Sequence, residues 1–481
     1  MKNLSITICM GVLLLCSIET SYAQNTFYQQ LIEEIIEVIN ASEYQVPTSQ
    51  TFAQLPEPLT DDDFHLYDAA QVQLGNLLFY DKILSGNKNI SCATCHHGQA
   101  GTGDGLSLPI GEGGNGLGNS RDSGFEADAV HERVPRNAPH VFNAGAKEMM
   151  VMFHDGRVFA DASQPSGFTS PAGNNLPMGL DNTLAAQAMF PVQSAAEMAG
   201  QAGENDIADQ AAAAHLAGAG GVWDLLARRV QEIPEYVAMF KQVYGDVNQA
   251  SDITYVHIAN AIAAFEAVVW RADNSPFDQY LRGDKGAMSP NQIKGMNLFY
   301  GEAGCAECHS GKLLGPADQF KSIGMIQIGT GKGDNLPGYS DGRDDFGRER
   351  VTGNTADRFK FRVLSARNVL LTGPWGHAGA YDNLTDLIKH HLDPVTATAN
   401  YDRSQIRMPA REDFDAFDFA VLDDDNRTSQ ILQSIDVSPR SLNETQIARL
   451  IDFLDAATDR KSINLRKEVP NRVPSGLPIF D

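Results

Sequence analysis

Cys92-Ala93-Thr94-Cys95-His96 and, further along the chain, Cys305-Ala306-Glu307-Cys308-His309 carry one pattern: two thiols three positions apart and a histidine directly after the second. C-x-x-C-H is the attachment signature of c-type haem. Thiols at that spacing can form thioethers with the two haem vinyls, and the next residue then offers an imidazole to the iron. His96 and His309 are therefore the expected proximal ligands. A four-thiolate zinc cluster would leave both histidines without a role. A redox dithiol does not ordinarily carry that histidine, nor occur twice with no thiol to spare. The chain is read as holding two covalently bound haem c groups.

The remaining cysteines, Cys9 and Cys16, lie in the first 23 residues. There a basic Lys2, the apolar run from Leu4 to Leu15 and the small-x-small triplet Ser21-Tyr22-Ala23 describe a cleavable signal peptide, with the mature chain starting near Gln24. A lipid anchor on Cys16 is the weaker reading, because Leu14 and Leu15 stand where small residues would be needed. Export to the periplasm agrees with the haem motifs, since this attachment in bacteria takes place outside the cytoplasm. No later stretch is long and apolar enough to span a bilayer. The formal charge of −24 argues against nucleic acid and anionic membranes as partners. Lys2 and Glu19 leave together with the leader, so the mature chain keeps that charge.

Helical spacing dominates what remains, as in Leu31, Ile32, Ile35, Ile36 and Ile39, in Tyr255 to Trp270, and in Ile447, Leu450, Ile451 and Leu454. Alternating β patterns are scarce. The glycine-rich run 98–124 and the Pro/Gly/Asn-rich run 163–179 read as loops. The expected architecture is mainly α: two cytochrome c-like haem domains with long loops. Residues 1–23 form the signal peptide, 24–249 an N-terminal haem domain with a helical extension, and 250–481 a C-terminal haem domain. An acidic segment runs from Asp413 to Asp425.

Several further blocks stand in one order along the chain. They are Leu74-Gly75-Asn76-Leu77-Leu78-Phe79-Tyr80-Asp81, Leu84-Ser85-Gly86-Asn87, Arg136-Asn137-Ala138-Pro139, Phe153-His154-Asp155-Gly156-Arg157, Pro191 through Glu197-Met198, Ser275 to Tyr280, Gly295 to Phe299, and Ala366-Arg367-Asn368-Val369 running to Thr372-Gly373-Pro374-Trp375-Gly376-His377. In that register the mature chain resembles the bacterial di-haem cytochrome c peroxidases and their methylamine-utilisation (MauG-type) relatives. The resemblance implies that the N-terminal haem meets peroxide and the C-terminal haem passes electrons to it. It also implies catalytic roles for Gln187 and Glu197, which keep the family's ten-residue spacing, with Glu197 as the acid/base and Gln187 orienting the oxygen. His131, in the loop ahead of Asn137, is the candidate removable sixth ligand of the N-terminal haem; without it that iron is five-coordinate. A calcium ion is implied at Asn137, Thr372 and Pro374, whose positions match the family's oxygen donors.

Two departures stand out. Fourteen residues after His377, where relatives carry Met or Tyr as the far ligand of the C-terminal haem, this chain has His391, preceded by His390. His309/His391 ligation predicts a lower potential than His/Met, unless a register shift brings His390 to the iron. Relatives also carry Trp after the Phe of the Phe-Trp-Asp-Gly-Arg block, and here that position is His154. The function these features predict is reduction of hydrogen peroxide to water, with electrons from a small periplasmic cytochrome c or cupredoxin steered by the acidic surface. A MauG-type oxidase of a protein or organic substrate and a non-catalytic electron carrier are the alternatives. The resemblance also implies a homodimer.

Overall fold

The computed structural model describes residues 54–124 and 129–480. The expected signal peptide and the expected N-terminal helix lie outside those residues. What is described is mostly helix and loop. Two small antiparallel sheets are present, one of three strands (Val151–Met152, Val158–Ala160 and Phe168–Thr169) and one of two (Phe320–Lys321 and Phe361–Arg362).

Two crossed helix pairs organise the interior, and each precedes or encloses one haem motif. Ala69–Tyr80 packs on Tyr255–Val269, and Pro290–Phe299 packs on Glu444–Ala456. Both crossings depend on a glycine. A Cβ on Gly75 would lie 1.8 Å from the carbonyl oxygen of Ala261, and one on Gly295 would lie 1.8 Å from that of Arg449. No side chain fits at either point, so the backbones touch. Aromatic rings then close each crossing: Phe79 meets Trp270 at 5.1 Å, and Phe299 meets Phe453 at 5.0 Å between ring centres. Side-chain caps set where these helices begin, with Asp68 accepting from Ala70 N, and Ser289 and Asn443 forming capping boxes with Gln292 and Gln446.

The first hydrophobic core draws on residues beyond the expected boundary at residue 250. Ile258, Ile262 and Phe265 of Tyr255–Val269 share the first core with Leu74, Leu78 and Phe79, whereas the second core begins at Phe277. Tyr255–Val269 is apolar on nearly every face and so must be surrounded. Its partner is a helix more than 170 residues earlier, which local pattern cannot reveal. From the far end of the chain, Leu465 and Val473 also return to the first core.

Buried ion pairs join the two halves. The Arg136 fork grips Asp345 through Nε and Nη2 at 2.6 and 2.7 Å and Asp155 through Nη1 at 2.7 Å. Arg133, with a fully buried side chain, meets Asp415 and Asp418. Part of the acidic segment 413–425 is therefore a counter-charge to the N-terminal half.

Candidate haem sites and the wall between them

The two thiol pairs line separate cavities, which removes the single-cluster zinc arrangement. In the first, Ser91 caps the short helix Cys92–Cys95 and presents both sulfurs to the cavity that His96 also lines. His96 Nδ1 lies 3.1 Å from the carbonyl oxygen of Thr102, so this nitrogen carries the proton and Nε2 keeps a free lone pair. Thr102 holds a positive φ of 61° to aim that carbonyl, and Val141 N donates to its hydroxyl. Burial also lowers the His96 pKa, favouring the neutral ring that a metal needs.

Across this cavity stand Gln187, on the helix Thr183–Ala188, and Glu197, on the π-turn Ala195–Ala199. Single π-turns of this kind recur at functional sites. The glycine-rich loop packs straight onto the turn: a Cβ on Gly111 would lie 1.8 Å from Ala196 O, and Glu112 N donates to that same oxygen at 3.2 Å. Neither the Gln187 nor the Glu197 side chain has a hydrogen-bond partner among the described residues, so both are left for whatever occupies the cavity. Burial raises the Glu197 pKa, opposed by the charges of Arg157 and Lys332. His140 lines the same cavity with Nδ1 unpartnered, its pKa pushed down to about 4 by burial.

His131 is not brought together with these residues. Its side chain is 54% exposed, with Nε2 3.7 Å from Glu204, and it does not line the first cavity. Charged neighbours on the surface hold this loop position outward, and the short offset to Asn137 could not show that.

The second cavity, of about 420 Å³, is lined by Cys305, Cys308, His309 and His391. His309 Nδ1 sits 3.3 Å from Leu314 O, and Leu314, like Thr102, has a positive φ, here 53°. His391 Nδ1 sits 2.9 Å from Leu387 O. With Nδ1 of each ring against a carbonyl, Nε2 is the nitrogen left to meet a metal, and the ring centres are 6.2 Å apart. Two metal–nitrogen bonds of about 2.0–2.1 Å, plus roughly 1.1 Å from each nitrogen to its ring centre, add to much the same span. His390 points elsewhere: its Nε2 donates to Ile323 O at 2.9 Å and its Nδ1 accepts from the Tyr381 hydroxyl at 2.8 Å. Both of its nitrogens are committed.

His154, Arg362, Leu364 and Ser365 line both cavities and so form the wall between them. His154 Nε2 donates to Asn137 O at 3.1 Å, and burial pushes its pKa down to about 3, keeping the ring neutral. His377 stacks on Phe361 at 3.7 Å and 10°, lines the second cavity, and leaves both ring nitrogens unpartnered and buried. Arg362 lies in the wall with only Nε committed, to Phe153 O. Two vinyl-reactive thiols per cavity, pinned imidazoles and unpaired donors facing inward fit haem c with its propionates. At the expected calcium position, Asn137 Nδ2 donates to Leu106 O and Ser107 O, and the Thr372 hydroxyl is spent on Val369 O. This leaves the Asn137 side-chain oxygen and backbone carbonyls as the donors there. Lys332 and Arg362 carried no sequence signal, because both belong to the second half and reach the first cavity only through the fold.

Comparison with known proteins agrees with this geometry. Residues 69–286 match the family model described as Di-haem cytochrome c peroxidase. The chain is 31% identical to Cytochrome-c peroxidase IdrP1 of Denitromonas iodatirespirans, over 66% of this chain and 72% of that one. It is 28% identical to Cytochrome c551 peroxidase of Pseudomonas aeruginosa, over 71% and 77% respectively. In fold it is similar to the crystal structure of a MauG-like protein associated with microbial copper homeostasis, with a TM-score of 0.52 at 21% identity, covering 89% of this chain and 98% of that one.

Proposed function

Since the chain belongs to the di-haem cytochrome c peroxidase family, we propose that it reduces hydrogen peroxide at the first cavity, one peroxide taking two protons and two electrons to give two waters. The observation that carries this reading is the convergence of Gln187 and Glu197 on the cavity of His96, with neither side chain otherwise hydrogen-bonded. Bound haem would supply the iron that takes the peroxide oxygen and the electrons that reduce it. Glu197 takes a proton from the nearer peroxide oxygen and returns it to the departing one. Its raised pKa lets it hold that proton at a higher pH than an exposed carboxylate would. The Gln187 carboxamide orients the bound oxygen. His96, fixed by Thr102, would hold the iron through Nε2.

A small cytochrome c or cupredoxin would supply the electrons one at a time at the second cavity, where His309 and His391 would hold the second haem iron. Calcium at Asn137, Thr372 and Pro374, export to the periplasm and a homodimer complete the reading. Support for export is the c-type attachment itself. A second reading, a MauG-type oxidase of a protein or organic substrate, is favoured by one observation: a histidine rather than a methionine faces His309.

Steady-state peroxide consumption by the haem-loaded protein, with reduced cytochrome c as donor, tests the choice. The expected turnover falls as ionic strength rises, because a chain of charge −24 attracts a basic donor. Slow turnover with cytochrome but oxidation of an organic donor would favour the oxidase. No consumption at all would leave an electron carrier.

A further inference from the structure

The first cavity contains a cation that its own half of the chain does not supply. Lys332 lies on the loop Gly329-Thr330-Gly331-Lys332-Gly333 of the second half, yet it lines the same cavity as Gln187, Glu197 and Arg157. The loop's shape is demanding. Its glycines have φ of 81°, 74° and 81°, and a Cβ on Gly331 would lie 2.1 Å from the carbonyl oxygen of Arg343. Backbone bonds hold it there, Lys332 N to Asp344 O at 3.1 Å and Gly333 N to Gly342 O at 2.8 Å.

The other cations lining this cavity each have at least one protein partner. Arg136 is spent on Asp155 and Asp345, Arg157 pairs with Asp155 and stacks on Phe153 at 3.7 Å, and Arg362 donates to Phe153 O. The partly exposed Lys332 has no hydrogen bond or ion pair with any described residue. Partial burial and the charges of Arg136 and Arg157 lower the Lys332 pKa, opposed by Glu197 and Asp345, so an ammonium here is unfavourable unless an anion meets it. Glu197, the acid that shares the cavity, is itself driven toward its neutral form by burial. A neutral peroxide gains little from the charge of Lys332, whereas a small anion gains directly.

We propose that Lys332 and Arg157 form a binding site for small monoanions at the first cavity, beside Glu197. This rests on the first cavity being the open, reacting haem site. Anions of a few heavy atoms, such as formate or azide, are held between the ammonium and the guanidinium. This site sets which ligands and co-substrates reach the iron, separately from the proton transfer at Glu197.

The test uses the ferric, haem-loaded protein. Formate and azide are titrated as monoanions and imidazole as a neutral control, with Kd read from the haem spectrum and by calorimetry. In Lys332→Met the Kd for both anions is expected to rise by at least about tenfold, the order expected for one lost charge at the water-screened limit. Imidazole affinity should stay within about twofold, and Lys332→Arg should bind anions as the wild type does. Lys332→Gln provides a second neutral side chain should the methionine variant fold poorly. Unchanged anion affinity in the neutral variants would overturn the proposal, as would a wild type that binds neither anion. So would equal weakening of anions and imidazole, the result expected if Lys332 instead neutralised a haem propionate. Failure of peroxide turnover alongside a selective loss of anion binding would refute the peroxidase reading and leave this site standing.

Discussion

Glu197→Gln isolates the chemistry proposed for the first cavity. The substitution keeps the side chain's length and shape and removes its titrating proton. Glu197 accepts no hydrogen bond from any described residue, so the amide strands no buried partner. Burial already disfavours the Glu197 carboxylate, and replacing it with a neutral group should leave stability unchanged or slightly higher. The whole loss should therefore appear in the rate. Positioned acid/base groups contribute roughly 10²- to 10⁴-fold, so kcat/KM for peroxide should fall by that factor, about 2.7–5.5 kcal/mol in the barrier. The pH profile supplies a second readout. In the wild type the limb that reports Glu197 should lie above the ordinary carboxylate value of about 4.3, and in the variant it should vanish. The assay is steady-state peroxide consumption with reduced cytochrome c from pH 4 to 9, with absorbance and EPR spectra of both haems as controls. Full activity with unaltered spectra would refute the assignment of Glu197 as the acid/base.

Three other predictions concern the second site and the frame. His391→Ala should remove the bis-imidazole low-spin signal from the ferric EPR spectrum while leaving both thioether attachments intact, and persistence of that signal would show that another residue ligates. Arg136→Ala leaves Asp155 and Asp345 buried without their shared cation, which should cost about 3–5 kcal/mol in chemical denaturation. Burial pushes the Asp345 carboxyl up, but Arg136 holds it well below the usual range. This stability is therefore present above the ordinary carboxylate pKa and lost as pH falls through the lowered one, so acid unfolding should be less steep in the variant. Gly75→Ala and Gly295→Ala each drive a methyl into a carbonyl oxygen at 1.8 Å and should destabilise by at least about 1–3 kcal/mol; thermal scans showing wild-type stability would contradict the close helix crossing.

Much of the site was legible in local sequence because haem attachment is local chemistry. Two thiols and an imidazole must fall within five residues, and Cys92–His96 and Cys305–His309 state that without reference to the rest of the chain. The pairing of Gln187 with Glu197 was legible from spacing once the surrounding blocks were in register, and both now line one cavity. The choice between His390 and His391 shows the limit. Adjacent helical residues point about 100° apart, and only the packing of Leu384–Leu392 decides which ring meets His309 and which is tied to Tyr381 and Ile323. The placement of His131 shows the same limit, since its proximity in sequence to Asn137 does not tell which way its loop faces.

By itself, then, the sequence determined the cofactor chemistry, the helical class and the candidate catalytic pair, because each rests on residues close in the chain or on a fixed count between them. Tertiary structure alone decided where the cores divide, how Gly75 and Gly295 let helices far apart in sequence touch, and which side chains form the wall between the cavities. It also decided that Arg136 would meet Asp345, 209 residues away, and that Lys332 would reach the cavity of Glu197. These contacts depend on long-range packing and on the burial it imposes, and neither is encoded in the neighbourhood of any single residue.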